Sequence, residues 1–419
     1  MRSRFAGLVR IPHFVALSAA ALMLGVAMSF TAPFLSLFGV EAAGMSPWMA
    51  GVFMTLIAAS GVVASTWAGR WSDRHAKHRP LLVASLAAAA LGFALLCRLR
   101  APAPVIVTGT LLLGAGAVSL SHIFSFARAV LPAANDAERE LAAAALRTML
   151  SVAWVFGPAL GALILAQAGF SGLFLAAALG FAACMAIVMR IPEPAARPIP
   201  AVSRSFAAEA PAAASSQDTA PRAVVMRTLA ALTLIGLAAN ATMIVLPLYV
   251  VRGLGGSPAD VSAALGMAAL LEIPMMLWLG TRSTRLDKAR WLTGCAAVHA
   301  IYFAGLAAVP HVGAVLPLQL LSACVVAITS CLGMTRVCDM MPARPGTATA
   351  MFFSTARVGS IVSGILSGAL LDLFGYRATF LCCGALALAA WALLRAARDP
   401  GTGVANAARH ARGRCDTPG

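Results

Sequence analysis

The sequence predicts an all-α membrane protein in which twelve transmembrane helices form two pseudo-symmetric six-helix bundles. Three observations carry that prediction. Of the 419 residues, 60% are apolar and 11% are charged, against about 45–50% and 25% in soluble domains. The apolar residues gather in twelve runs, each long enough to cross a hydrocarbon core of about 30 Å. A single stretch rich in Pro, Ala and Ser, at 191–224, divides those runs six and six.

The first run, near 14–38, follows Arg2, Arg4 and Arg10. It is too long for a secretory leader and eleven further runs follow it. The second and third, near 48–68 and 80–97, flank a compact charged loop, Gly69-Arg70-Trp71-Ser72-Asp73-Arg74-His75-Ala76-Lys77-His78-Arg79-Pro80-Leu81. The fourth, near 104–127, carries Ser119, Ser121, His122 and Ser125 and ends at Arg128. The fifth and sixth, near 142–168 and 171–190, are joined by very few residues, and Arg147 lies one or two turns inside the fifth.

After the break come runs near 225–250, 259–280, 290–309, 313–335, 348–373 and 377–395. The predicted organisation is therefore an N-terminal bundle over 1–190, a flexible cytoplasmic linker over 191–224, a C-terminal bundle over 225–396 and a basic cytoplasmic tail over 397–419. The linker composition cannot bury a core.

The formal charge of +16 invites a nucleic-acid reading, and the placement of the charges excludes it. With the N-terminus inside, most basic residues fall on the cytoplasmic side: the arginines before residue 14, the Arg70 to Arg79 loop, Arg282 to Arg290, and the tail from Arg395 to Arg414. That asymmetry is the positive-inside signature of a multi-pass membrane protein with both termini cytoplasmic. The nine cysteines lie mostly inside apolar runs without metal-ligand spacing and read as small core residues. No Gly-rich phosphate loop is present. The chain is not expected to be an enzyme, a metalloprotein or a nucleotide-driven pump, and no cofactor is called for.

An internal repeat supports two halves. The fifth run carries Gly157, Pro158 and Gly161, then Gly169-Phe170; the eleventh carries Gly364 and Gly368, then Gly375-Tyr376. Small residues four apart let helices approach closely. The loop between the second and third runs has a faded counterpart at Gly280 to Arg290, which keeps the glycine and the basic cluster without the Asp-Arg pair at its place.

The order of glycine, small residue, Asp-Arg and basic cluster in Gly69 to Leu81 resembles the signature loop of the major facilitator superfamily. Further segments are similar to the sugar efflux transporter family within it: Ala32-Pro33-Phe34-Leu35-Ser36-Leu37-Phe38, Leu150-Ser151-Val152-Ala153-Trp154-Val155-Phe156-Gly157-Pro158, Leu271-Glu272-Ile273-Pro274, Leu318-Gln319-Leu320 and Asp339-Met340-Met341-Pro342. The chain departs from that family in its richer Ala and Arg content, its longer linker and its basic tail. The resemblance implies a monomeric secondary exporter of small sugars or glycosides that works by alternating access. The expected mode is antiport against protons. Glycine-proline motifs such as Gly157-Pro158 also occur in drug/proton antiporters, so export of amphipathic drug-like compounds is the alternative. A membrane sensor that kept the scaffold is the third reading, and it would call for a soluble domain that the sequence lacks.

Ionisable residues at mid-membrane are costly and mark function by default. Glu272, two residues before Pro274, and Arg357 in the eleventh run are the main candidates, and the implied fold lets them pair. Glu272 then accepts a substrate hydroxyl or carries a proton; the competing structural role is an ion pair. Asn240, Gln319 and His122 supply neutral donors and acceptors, and Trp154 or Trp278 supplies a face for a sugar ring. His299, expected at the periphery, is assigned to structure. The resemblance implies a gating group of Gly69, Asp73, Arg74, Arg128 and Arg147. Asp73, placed near the start of the third helix, would latch the two bundles on the cytoplasmic side in the outward-open state. A cavity lined by Asn240, Gln319, Glu272 and tryptophan favours sugar; one dominated by Phe and Met favours lipophilic compounds.

Overall fold

The computed structural model describes residues 12–75, 77–131, 136–192, 220–282, 285–342 and 345–398. Most of the linker and tail, the first arginines, and the side chains of Asp73 and Arg147 lie outside the described residues. Among the described residues, ten helices are long and apolar enough to cross a membrane. Eight are single crossings: α1 (Phe14–Glu41), α2 (Pro47–His75), α3 (Arg79–Leu96), α4 (Pro102–Val130), α7 (Arg222–Gly253), α8 (Pro258–Arg282), α9 (Lys288–Ala308) and α10 (Val312–Met340).

The other two helical runs, Asp136–Arg190 and Pro345–Ala396, are too long for one crossing. Each is broken at one glycine, Gly169 with φ 63° and Gly375 with φ 75°. With ψ −169° and −177°, both lie in a positive-φ extended region that essentially only glycine enters and that costs any other residue about 1–3 kcal/mol. We label the legs on either side α5 and α6 (136–168 and 170–190), and α11 and α12 (345–374 and 376–396). These are the Gly-aromatic turns that recur in the sequence.

Helix starts follow from proline and acidic or hydroxyl caps. Pro47, Pro80, Pro102, Pro258 and Pro345 sit in first turns, where a missing N–H costs nothing. Ser257 and Asp260 cap α8 reciprocally, with the Ser257 amide donating to Asp260 at 2.8 Å. Asp287 accepts from the Arg290 amide at 3.1 Å and starts α9. A π-helical turn lies in the first half of α4 at Gly109–Leu113, another in the last part of α10 at Thr329–Gly333, and a third ends α7 at Tyr249–Gly253, while α1 and α7 each carry a proline towards the end of the helix, Pro33 and Pro247.

One boundary differs from the sequence expectation. Asp73 and Arg74 lie at the C-terminal end of α2, not near the start of the third helix. Nothing between Gly69 and His75 breaks a helix, and His75 stacks on Trp71 at 4.5 Å one turn back. The next helix starts only at Arg79 and Pro80. A carboxylate in the last turn of α2 therefore gains nothing from the helix dipole, which favours cations there.

Packing differs between the two ends of the molecule. α1 packs on the α5–α6 run and α7 on the α11–α12 run. At the end that carries Glu41 and Arg252, buried residues before 192 and after 220 belong to one continuous cluster, including Phe38, Phe174, Leu246, Tyr249, Phe303 and Phe380. At the opposite end, residues of the second segment alone form a separate cluster, among them Leu229, Leu292, Val337 and Leu394.

Candidate functional site

The joined end is held by hydroxyls that donate to helix carbonyls across the two segments. Ser36 on α1 reaches the Ile244 carbonyl on α7 at 3.0 Å, and Ser262 on α8 reaches the Pro158 carbonyl on α5 at 2.5 Å. Thr55 on α2 donates to the Ile361 carbonyl and accepts from the Ile365 amide on α11, both at 2.8 Å. Those two groups are the partners of one helical hydrogen bond, so one hydroxyl caps both. Arg252 pairs with Glu41 at 3.0 Å at the rim.

Glycines allow the backbones to meet there. A Cβ at Gly364 would lie 2.3 Å from Thr55 Oγ1 and 2.7 Å from the Gly51 carbonyl oxygen; at Gly368 it would lie 2.8 Å from Gly51 Cα. The earlier pair does something else. A Cβ at Gly157 would strike Ser29, and one at Gly161 the Phe30 carbonyl, both on α1, and Ser29 donates to the Ala153 carbonyl at 2.9 Å. The two glycine pairs that look alike in sequence thus serve different contacts: α5 on α1 within the first segment, α11 on α2 between segments.

Beneath this joined end lies a cavity of about 410 Å³ bordered by both segments, within the usual range for small-molecule sites. Glu272 and Ile273 on α8, Asn240 and Thr242 on α7, Gln319 and Ser322 on α10, and Trp154 and Pro158 on α5 line it. Methionine contributes Met243 and Met276, and no phenylalanine lines it among the described residues. Asn240 and Gln319 each donate through the amide nitrogen to a carbonyl four residues back in their own helix, Gly236 and Val315. Glu272 is half-buried and its carboxylate has no hydrogen bond or ion pair among the described residues.

The structure therefore gathers Glu272, Asn240, Gln319 and Trp154 around one cavity. It does not gather the others. Arg357 is exposed, forms no ion pair with Glu272 and does not line the cavity. Its neighbours in sequence, Ala356 and Gly359, face Gly236 and Leu237 of α7, which turns Arg357 to another side of α11. His122 is buried in α4 beside Ser121, away from the cavity, and Ser119, Ser121 and Ser125 donate to carbonyls of their own helix. Trp278 packs against Trp291 at 5.9 Å with the Arg282 guanidinium over its ring; it also stands outside the cavity.

His299 does not stand at the periphery, where the sequence reading put it. It is 2% exposed and lines the cavity together with Tyr302. The usable signal was slight: Tyr302 is one of three tyrosines in the chain, one turn from the histidine on a helix with few polar groups.

In the gating group, Gly69, Arg74 and Arg128 lie at the parted end, where both arginines are exposed and a Cβ at Gly69 would meet nothing. The faded counterpart loop is tied within the second segment by an ion pair between Lys288 and Asp339.

Comparison with known proteins places these features. The family model described as Major Facilitator Superfamily matches residues 15–357. A Deinococcus radiodurans chain provisionally named a sugar efflux transporter is 39% identical, the alignment covering 92% of this chain and 97% of that one. Sugar efflux transporter A of Escherichia coli K12 is 29% identical over 92% and 96%. Among solved structures, the nucleoside transporter NupG superposes with a TM-score of 0.74 at 14% identity, covering 92% of this chain and 99% of that chain.

Proposed function

We propose, because this chain belongs to the Major Facilitator Superfamily and within it to the sugar efflux transporter family, that it is a secondary active exporter of small sugars or glycosides. Bundles spanning 1–190 and 225–396 rock about the midplane cavity, and the linker at 191–224 joins them. With both termini cytoplasmic in a bacterial inner membrane, the Glu41 end is outside. The conformation described is then closed outside and parted inside, ready to load substrate from the cytoplasm.

The observation that carries the sugar reading is the chemistry of the cavity: a carboxylate, two amides and hydroxyls around a space bordered, among the described residues, by one tryptophan, Trp154, and by no phenylalanine. Polar groups around a ring face suit a polyol. Glu272 is the single acidic residue in that wall among the described residues and is assigned the proton carried in exchange. Asp73 and Arg147, with Arg74 and Arg128, are assigned the latch of the opposite state, a role carried over from the family's signature loop. Asp73→Asn is expected to insert normally and transport slowly.

The test is counterflow of labelled lactose and of a cationic dye in proteoliposomes, with and without a pH gradient. Lactose uptake that responds to the gradient is expected. Uptake of the dye alone would overturn the sugar assignment.

A further inference from the structure

Helix α9 brings two polar groups to the cavity that the carboxylate and amides do not account for. His299 and Tyr302 are one turn apart, 2% and 1% exposed, and both line the wall. His299 Nδ1 and the Tyr302 hydroxyl are buried and make no hydrogen bond among the described residues. A buried polar group without a partner is rare in native structures and calls for an explanation.

Their surroundings fix them in place without satisfying them. The His299 ring packs 4.6 Å from Phe303 and 6.1 Å from the Tyr302 ring, the latter nearly parallel. Gln319, Ser322 and Thr242 stand around the Tyr302 hydroxyl, but none meets hydrogen-bond geometry with it. Thr242 donates to Ala238 and Gln319 to Val315, each within its own helix. The rings are held, while the two polar atoms stay without a hydrogen-bond partner among the described residues, on side chains that line the same cavity.

We propose that His299 and Tyr302 form the discriminating subsite for a substrate hydroxyl. A hydroxyl both donates and accepts. It can give its proton to Tyr302 or take one from it, and it can serve the histidine nitrogen in either tautomer. An apolar occupant of the same volume would leave both groups unpaired. Sites that hydrogen-bond a substrate hydroxyl reject analogues lacking it far more strongly than apolar pockets reject an added one. The subsite thus selects polyols over lipophilic compounds of similar size, and it explains why a second-segment helix with few polar residues carries two of them at cavity depth.

This inference rests on the sugar reading, so the experiment separates the two. Lactose counterflow by the full-length protein in proteoliposomes is measured for the wild type, Tyr302→Phe and His299→Phe, together with competition by each monodeoxy lactose. In the wild type one deoxy position should weaken competition about tenfold. In Tyr302→Phe, which removes one oxygen and keeps the ring, KM for lactose should rise about tenfold while maximal rate and thermal stability hold, and the penalty at that deoxy position should vanish. If the wild type moves lactose and both variants keep its KM and the same deoxy penalties, the subsite is refuted and the sugar reading stands. If the wild type moves no sugar, both fall together.

Discussion

Substituting Gly364 by alanine tests the closure of the Glu41 end directly. The added methyl would sit 2.3 Å from Thr55 Oγ1, and 2.7 Å from both the Gly51 carbonyl oxygen and the Thr55 amide nitrogen. Two of those three atoms are backbone, so no rotamer change relieves the contact and the helices must part. Overpacking of this kind costs about 1–3 kcal/mol. The parted arrangement of α2 and α11 bears none of that cost, so the substitution biases the two-state equilibrium by the whole amount. At about 1.4 kcal/mol per decade, the population closed at the Glu41 end falls about 5- to 150-fold relative to its alternative. The assay is pulsed electron paramagnetic resonance between spin labels at Ala42→Cys and Ala259→Cys, in a background without the native cysteines. The expected result is growth of a longer-distance population in Gly364→Ala. Gly294→Ala serves as control, because a Cβ there meets nothing within 4 Å. An unchanged distance distribution in Gly364→Ala, with normal folding, would refute the close-contact account of the closed end.

Thr55→Val keeps the shape of the side chain and removes both of its hydrogen bonds to α11; it should shift the same distances in the same direction by about 0.5–1.5 kcal/mol, and Gly364→Ala combined with it should be less than additive because the two touch. Gly375→Ala forces a side chain into φ 75° and should cost about 1–3 kcal/mol, read as a lower melting temperature of the detergent-solubilised protein without a change in KM. Glu272→Gln should abolish the dependence of lactose counterflow on a pH gradient; a variant that keeps normal pH-dependent transport removes Glu272 as proton carrier. Glu41→Gln should weaken the closed end by less than about 1 kcal/mol, since the pair with Arg252 is exposed, and the effect should fade with added salt.

What the sequence made legible follows from the strength of each signal. Bilayer-length apolar runs marked the ten long apolar helices among the described residues, because unbroken hydropathy over about 20 residues is long-range and redundant. The turns at Gly169 and Gly375 were marked by a glycine before an aromatic at the same place in each half. Residues costly to bury, such as Glu272 and Asn240, pointed to the cavity for the same energetic reason. The rotation of an individual helix was not legible. A helix apolar on all sides has no moment to say which face looks inward, so Arg357 could be paired with Glu272 on sequence alone, and His299 was put at the periphery. Glycine spacing announced close contact without naming the partner helix. The C-terminus of α2 was missed because charge suggested a loop, whereas no residue from Gly69 to His75 stops a helix.

The glycine breaks at 169 and 375 also bear on how the legs can move. Between α5 and α6, and again between α11 and α12, a single residue in positive-φ geometry replaces a loop. A turn of one residue keeps the two legs of each pair antiparallel and in register, so neither leg can slide or turn without the other.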